Sequence, residues 1–324
     1  MKKVLITGEA GHLGRLLYGA FKNDDYQMIN DKVDKTDIEI LFNKKNLPCT
    51  FDYNYEHELN INQTYGLYKI IDEHKPDIII HTAAYVGTDK CESDDLEAFR
   101  TNVSSIRDLA TIIRNTIPDC LVVNFSTTAT MNPLEYNLER PITTKTNRNP
   151  ITWYGQTKLM SEMIVKQFAK NWINFLPVFL FGDYPFDTSS IWARMFIDNL
   201  KEKKYKIKLN KDIYKEYEYS KNVIPIIKKI IENHRSIGND IIIAGPDMRP
   251  FGEFLKSSNQ IFFSKFKKEL NYELFPDEDY LGNHIADYHD MLKYANVSDS
   301  EFTNSRFSFE NAIEKVIDSI GRTI

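Results

Sequence analysis

Apolar residues along this chain gather into short runs separated by stretches of helical spacing. The runs are VLIT (4–7), YQMIN (26–30), DIIIHTA (77–83), CLVVNFS (120–126), NFLPVFLF (174–181) and DIIIAG (240–245). Each is short and nearly continuous, the pattern of a strand covered on both faces. After Gly11, residues Leu13, Leu16, Leu17, Ala20 and Phe21 recur at i, i+3, i+4, i+7 and i+8, which predicts a helix with one buried face. Similar patterns predict helices over 64–74, stopped by Pro76, and over about 94–115, 153–171, 221–233 and 309–320. Strands alternating with helices imply a parallel sheet wrapped by helices on both sides.

Two stretches break the rhythm. Residues 43–62 are polar and aromatic and read as a long loop or short hairpin. In 201–219 (KEKKYKIKLNKDIYKEYEY), Tyr205, Ile207 and Leu209 alternate with lysines. That pattern predicts a solvated hairpin edge guarded by lysines, with a phosphate contact as the alternative. Alternation thins after about residue 180, where a smaller second lobe is expected.

Composition narrows the classes. At 324 residues and 42% hydrophobic, the chain can bury a sizeable core. A net charge of −5 argues against a nucleic-acid partner, which would call for a strongly basic face. No run approaches the roughly 20 apolar residues of a membrane span. Met1-Lys2-Lys3 leads directly into an apolar run too short for a signal peptide, so a cytoplasmic protein is expected. Cys49, Cys91 and Cys120 are odd in number and widely spaced, which reads as free thiols.

The first strand enters TGEAGHLG, with Gly8, Gly11 and Gly14 between strand and helix. Such a turn lets the backbone approach an anion at the positive end of a helix. Gly8 would make the turn, Gly11 leave room for a pyrophosphate, and Gly14 let the helix sit on the sheet. Packing alone could also explain the trio. Asp31 closes the second strand pattern, QMIND, placed to accept from ribose hydroxyls. A carboxylate there disfavours a 2′-phosphate, so NAD is favoured over NADP, although Lys32 and Lys35 weaken the preference; Asp31 could instead cap a turn.

Further along, WYGQTKLMSE places Tyr154 and Lys158 four apart, on one helical face. NFSTTATM sets Thr127 and Thr128 at the end of a buried strand, where open parallel sheets bind ligands. A phenol of ordinary pKa ~10 is a poor base at neutral pH, and a nearby ammonium favours its ionised form. A threonine hydroxyl can hold a substrate oxygen while the tyrosine moves its proton. The set suits carbonyl reduction or alcohol oxidation.

Taken in order, TGEAGHLG, HTAAYVGTDKCE, FRTNV, FSTTAT and YGQTK resemble the extended short-chain dehydrogenase/reductase family of nucleotide-sugar epimerases, dehydratases and reductases. The likeness covers about residues 1–175 and resumes at YEYSKNVIPIIKKIIEN and DIIIAGPDMRPFGEF. It implies a Rossmann-type doubly wound parallel sheet with a smaller C-terminal α/β substrate lobe. The expected division is 1–178 with 219–245 for NAD binding, and 179–218 with 246–324 for substrate. It implies Tyr154 as general acid/base, Lys158 as the group that holds the nicotinamide ribose and tunes Tyr154, and Thr128 as the substrate-facing hydroxyl, with Thr127 its rival. Gly8, Gly11, His12, Leu13 and Gly14 would meet the pyrophosphate, and Asp31 the ribose. Asn60 and Ile61 would lie by the adenine, Ala83 and Ala84 line the trough, and Asn102 stand behind the site. Taken singly, His12 and His81 read as structural residues.

Departures shape the substrate expectation. Leu176, Phe179 and Phe181 stand where the family often carries Arg, Asn and a Tyr-Gly pair. Glu9 puts a carboxylate in the glycine turn. Thr128 is followed by Ala129-Thr130-Met131 and not the Asp-Glu pair of 4,6-dehydratases, which argues against dehydration. GHLGRLL and AAYVGTDKCE resemble dTDP-4-dehydrorhamnose reductases, whereas STTAT resembles an epimerase sequence. The expectation is reduction of a 4-keto nucleotide sugar, with a nucleotide-sugar 4-epimerase or oxidase holding NAD tightly as runner-up and a non-catalytic NAD-binding regulator as a third reading. The apolar faces of the helices over 94–115 and 153–171 could bury each other within one chain; the family resemblance implies instead that they form a dimer contact, so a homodimer is expected. No metal site is expected: His284 and His289, five apart, would not share a helical face. Trp153 could stack on a ligand or simply pack.

Overall fold

The computed structural model describes residues 2–22, 26–28, 64–135, 141–183, 187, 190–208, 211–233, 238–275 and 286–322. Their order is β1 (Lys2–Thr7), α1 (His12–Lys22), β2 (Tyr26–Met28), α2 (Thr64–His74), β3 (Ile78–His81), α3 (Thr88–Ser93), α4 (Asp95–Phe99), a π-helical turn (Arg100–Ser104), α5 (Ser105–Thr116), β4 (Leu121–Phe125), α6 (Trp153–Phe168) and β5 (Asn171–Pro177). Beyond these come β6 (Phe179–Phe181), α7 (Ile191–Leu200), β7 (Tyr205–Lys208), β8 (Tyr214–Tyr219), α8 (Ser220–Asn233), β9 (Asn239–Ile243), β10 (Met248–Pro250), α9 (Phe251–Phe266), β11 (Tyr272–Phe275), α10 (His289–Ala295), α11 (Asp299–Ser305) and α12 (Phe309–Gly321). Asp31, Asn60, Ile61, Cys49 and His284 lie outside the described residues.

The chain divides into two compact units. One holds Met1–Met131, Asn147–Leu176 and Ile231–Ile241; the other holds Asn132–Thr146, Pro177–Ile230 and Ile242–Ile324. The division expected from the resemblance puts 132–146, 177–178, 219–230 and 242–245 with the first unit, whereas this division puts them with the second. The start of α8 is tied there: Asn222 donates to Glu218 Oε1 (2.5 Å) and to the Phe307 carbonyl (3.0 Å).

The central sheet has the order β2-β1-β3-β4-β5-β9, and β1, β2, β3, β4 and β5 pair in parallel. This is the expected Rossmann-type arrangement. Leu5, Ile79 and Val122 sit side by side in register and face a core that Leu67, Ile71, Leu109, Ile113 and Val165 complete from α2, α5 and α6. Alternate residues Val4, Ile6, Ile80 and Val123 are buried as well. The strands are therefore apolar on both sides, which is why they read as continuous runs and not as alternating ones. The sheet order reverses between β1 and β3, and their C-terminal ends flank the crevice in which open α/β sheets bind ligands.

The second unit has a three-stranded sheet, β10-β8-β6, and a parallel pair, β11-β7. Its core is aromatic: Trp192 is fully buried, with ring centroids 5.1 Å from Tyr217 and 5.2 Å from Phe309. Residues 201–219 do not form the solvated hairpin that their alternation predicts. β7 pairs with β11, and β8 pairs in parallel with β6 and antiparallel with β10. Lys215, Glu216 and Glu218 are buried. Glu216 accepts from the backbone of Gly245 (2.7 Å) and Ala286 (3.1 Å), and Glu218 accepts from Arg306 (2.8 Å). A central strand can carry carboxyl groups inward when each finds a donor; the donors to Glu216 and Glu218 lie far along the chain, and nothing in the alternation of 201–219 marks them.

Two other patterns resolve differently in detail. The run over 174–181 is two strands, β5 in the central sheet and β6 beside β8, interrupted at Val178. The helix expected over 94–115 is built from α4, the π turn and α5, with α3 just ahead of it.

Candidate active site

The glycine turn stands at the reversal between β1 and β3. Gly8 has φ of +73°, and a Cβ on it would lie 2.6 Å from the Ala83 nitrogen. Only glycine gives that backbone conformation without strain and lets the two strand ends touch. A Cβ on Gly14 would collide with the Gly8 carbonyl oxygen and stand 2.6 Å from Glu9 Cα. Gly11 differs: its Cβ would meet the Gly8 oxygen alone, at 3.1 Å. Gly8 and Gly14 thus serve close packing, and Gly11 faces an open side at the start of α1. This cradle, at the positive end of a helix, fits a dinucleotide pyrophosphate. His12 and Leu13 form the first turn of α1.

Thr82 locks the two strand ends, donating from its hydroxyl to the Thr7 carbonyl at 2.6 Å. Thr7 Oγ1 and His81 Nδ1 are 2.7 Å apart, both buried. Burial, with the Lys158 charge in support, holds the His81 pKa down at about 3. The imidazole is neutral, consistent with its structural reading. Ala83 and Ala84 come next, half-buried, along the edge of this region.

Asn102 sits in the π turn and clamps the chain beyond β3. Its Oδ1 accepts from the Tyr85 backbone N–H (2.8 Å), and its Nδ2 donates to the Tyr85 carbonyl (3.0 Å) and to Thr157 Oγ1 (3.1 Å). Thr157 donates in turn to the Tyr154 carbonyl at 2.9 Å. One buried amide thereby fixes both the stretch after β3 and the first turn of α6. Single π turns inside helices recur at functional sites, and here the turn carries this clamp.

Helix α6 starts at Trp153, capped by Thr152, whose hydroxyl accepts from the Gly155 backbone N–H at 3.1 Å. Trp153 spends its indole N–H on the Asp95 carbonyl (3.1 Å), so the ring packs against α4. Tyr154, Lys158 and Glu162 recur at four-residue spacing on one face. Thr127 lies just past the end of β4, and its side chain lowers the Tyr154 pKa against the larger effect of burial. Thr128 opens the short 3-10 turn Thr128–Thr130 and is 3% exposed. Of the two threonines, Thr127 is the one that acts on the Tyr154 pKa.

The electrostatics differ from the sequence expectation. Burial pushes the Tyr154 pKa up, the charge of Cys91 adds to the rise, and the Thr127 hydrogen bond opposes it. Burial lowers the Lys158 ammonium to about 8, while Glu162 and Cys91 pull it upward. Lys158 is 3% exposed, so desolvation outweighs the attraction that simple spacing suggests. Cys91 is fully buried on α3, its thiol directed to the Tyr85 carbonyl and raised by burial to about 11.

Spacing alone did not single out Cys91, Gly155, Thr82 or Glu162. Gly155 had a signal, since glycine inside a helix is costly without a packing reason. Glu162 also had one, at i+8 from Tyr154 on the same face. Cys91 and Thr82 had none.

The RmlD substrate binding domain family matches residues 1–236 of this chain. The chain belongs to that family. Membership places it among the extended short-chain dehydrogenases/reductases. This RmlD-type chain is similar to dTDP-4-dehydrorhamnose reductase of Burkholderia thailandensis, 26% identical over 125 residues, which is 39% of this chain and 40% of that protein. The aligned stretches span half or less of the curated relatives it matches. Among solved structures, it resembles UDP-glucuronic acid 4-epimerase of Bacillus cereus, in complex with UDP-glucuronic acid and NAD (18% identity, 99% of this chain and 100% of that chain, TM-score 0.77). It also resembles RMD of Pseudomonas aeruginosa, complexed with NADPH (12% identity, all of both chains, TM-score 0.77). These structural likenesses carry the fold. Among the described residues no helix is long and apolar enough to cross a membrane, and no cluster of metal-ligating side chains forms. His289 pairs with Asp287 (2.7 Å), and Asp290 accepts from Thr144 (3.3 Å).

Proposed function

We propose that this chain is a nicotinamide-dependent oxidoreductase that reduces a 4-keto group on a nucleotide-linked sugar. The observation that carries the reading is the placement of Tyr154 and Lys158 one helical turn apart at the start of α6, with the Thr127 hydroxyl, just past β4, acting on the phenol. These groups belong to the same compact unit as the glycine cradle. The bound dinucleotide would supply the hydride. Gly8, Gly11 and Gly14, with His12 and Leu13, would cradle its pyrophosphate, and Lys158 would hold its nicotinamide ribose.

In this reading the carbonyl oxygen docks between the Tyr154 and Thr127 hydroxyls. Tyr154 donates its proton to that oxygen as the carbon is reduced. Burial keeps the phenol protonated at neutral pH, which suits a proton donor. The phenolate left behind is favoured by the Lys158 ammonium. Thr127 orients the oxygen. Asp31, Asn60 and Ile61 remain proposed contacts on the adenosine side, with NAD favoured over NADP through Asp31. A homodimer is proposed through α4 and α6, where Leu96, Phe99 and Met163 are 57%, 37% and 61% exposed.

The test is a cofactor balance. Purified protein, NADH and a 4-keto nucleotide sugar should consume one NADH per sugar reduced. Sugar interconversion at C4 without net NADH loss would point to an epimerase. Dinucleotide binding with no turnover of any nucleotide sugar would point to the regulator.

A further inference from the structure

Beyond Tyr154 and Lys158, the same face of α6 carries Glu162, with no exposed surface. Its Oε1 accepts from Ser126 Oγ at 2.5 Å, and its Oε2 accepts from Arg148 Nε at 3.1 Å. Ser126 immediately precedes Thr127, and its backbone N–H donates to the Phe175 carbonyl on β5 at 2.7 Å. Arg148 reaches on to Asp240 (3.1 Å), which also receives Lys166 (2.6 Å) and the Asn174 amide (3.0 Å). Asn174 Oδ1 accepts from Asn124, which also donates to Ser161. A continuous polar network thus runs beneath the sheet's end, and its member on the Tyr154 face is a carboxylate.

We propose that Glu162 is a positioning residue for the reaction: it ties the end of β4 to α6 through Ser126 and places a carboxyl group one helical turn from Lys158 on the same face of α6. A buried carboxylate held by a guanidinium and a hydroxyl is costly to build. Apolar packing would have closed the same space at less cost. The arrangement sets Thr127, through Ser126, and Lys158, one turn back, from a single group. The inference rests on the reading of Tyr154 and Lys158 given above, yet its test does not need turnover.

Several charged and titratable groups surround the pair. Lys158 feels Glu162 and Cys91, and in turn acts on His81. Glu162 feels Arg148, Lys166 and Asp240 beside its Ser126 hydrogen bond. Burial raises the Glu162 pKa, and Arg148 and Ser126 oppose that rise.

The experiment is a pH titration of the Lys158 amine by NMR in isotope-labelled full-length protein, with Lys158→Met to assign the signal. Wild type should show a midpoint near 8. Glu162→Gln should move it to lower pH. Ser126→Ala, the milder change, should move it in the same direction by less, because a carboxylate stripped of one donor holds its charge less well. Glu162→Asp should restore most of the wild-type midpoint. If turnover is also found, the wild-type to Glu162→Gln ratio of kcat/KM should widen about tenfold for each unit of midpoint shift, from neutral to alkaline pH. An unmoved midpoint in either folded variant, Glu162→Gln or Ser126→Ala, overturns the proposal. Absence of turnover with the predicted midpoints would instead count against the reductase reading alone.

Discussion

The backbone of Gly155 rests on the carbonyl of Ala129: a Cβ at 155 would collide with that oxygen and stand 2.9 Å from Pro150 Cβ. The contact seats the start of α6, and so Tyr154, against the turn just after Thr127. Gly155→Ala should gain helix propensity of about 1 kcal/mol and lose about 1–3 kcal/mol to overpacking. The net expectation is a modest fall in Tm with at least a tenfold loss of turnover, since the phenol and its partner hydroxyl are pushed apart. Thermal unfolding and steady-state kinetics on one preparation check both. Full activity with unchanged Tm would show the contact to be slack.

Gly8 and Gly11 of the first turn should separate by phenotype. Gly8→Ala meets a left-handed backbone costing about 1–2 kcal/mol as well as the Ala83 nitrogen at 2.6 Å, so it should unfold early in calorimetry. Gly11→Ala meets one carbonyl oxygen at 3.1 Å; it should keep its Tm and lose dinucleotide affinity in a fluorescence titration. Equal loss of stability in both would mean that Gly11 is a packing glycine too.

His81 makes stability depend on acid. Its imidazole takes a proton near 6.5 when unfolded but only at about 3 when folded, because it is buried beside Lys158. The unfolded chain binds the extra proton between those values, so the stability present above about pH 6.5 is lost as pH falls toward 3. His81→Asn keeps a polar group for Thr7 and removes the titration. Its Tm should fall less steeply than that of wild type between pH 7 and pH 4; parallel curves would contradict the assignment.

In the second unit Arg306 meets Glu218 at 2.8 Å, with side chains 10% and 0% exposed. Arg306→Met leaves a buried carboxylate unpaired and should destabilise by about 3–5 kcal/mol. Burial already raises the Glu218 pKa, so the deficit should shrink as pH falls and a proton neutralises the group. Chemical denaturation at two pH values measures this.

The central sheet was legible because β1, β3 and β4 are apolar on both faces, and because Leu13, Leu16, Leu17, Ala20 and Phe21 keep strict helical spacing. The helix over 64–74 coincides with α2 for the same reason. The second unit was less legible. In α9, Phe251, Phe254, Leu255, Ser258 and Phe262 are buried at helical spacing, but the two glycines and two prolines of 245–252 obscure where that helix begins. β8 reads as a solvated edge because its charges alternate, whereas their partners at 245, 286 and 306 are remote in sequence. At the site, spacing joins Tyr154 to Lys158, but which of Thr127 and Thr128 faces the phenol depends on where β4 ends. The direction of the Tyr154 shift depends on burial, which spacing does not carry.

The most direct measurement is the rate of hydride transfer from NADH to a 4-keto nucleotide sugar in Tyr154→Phe, with NADH affinity measured on the same sample. Loss of the phenolic proton donor should lower the rate by about 10²–10⁴-fold while NADH binding and Tm stay near wild type. A variant that reduces the sugar at the wild-type rate would contradict the account.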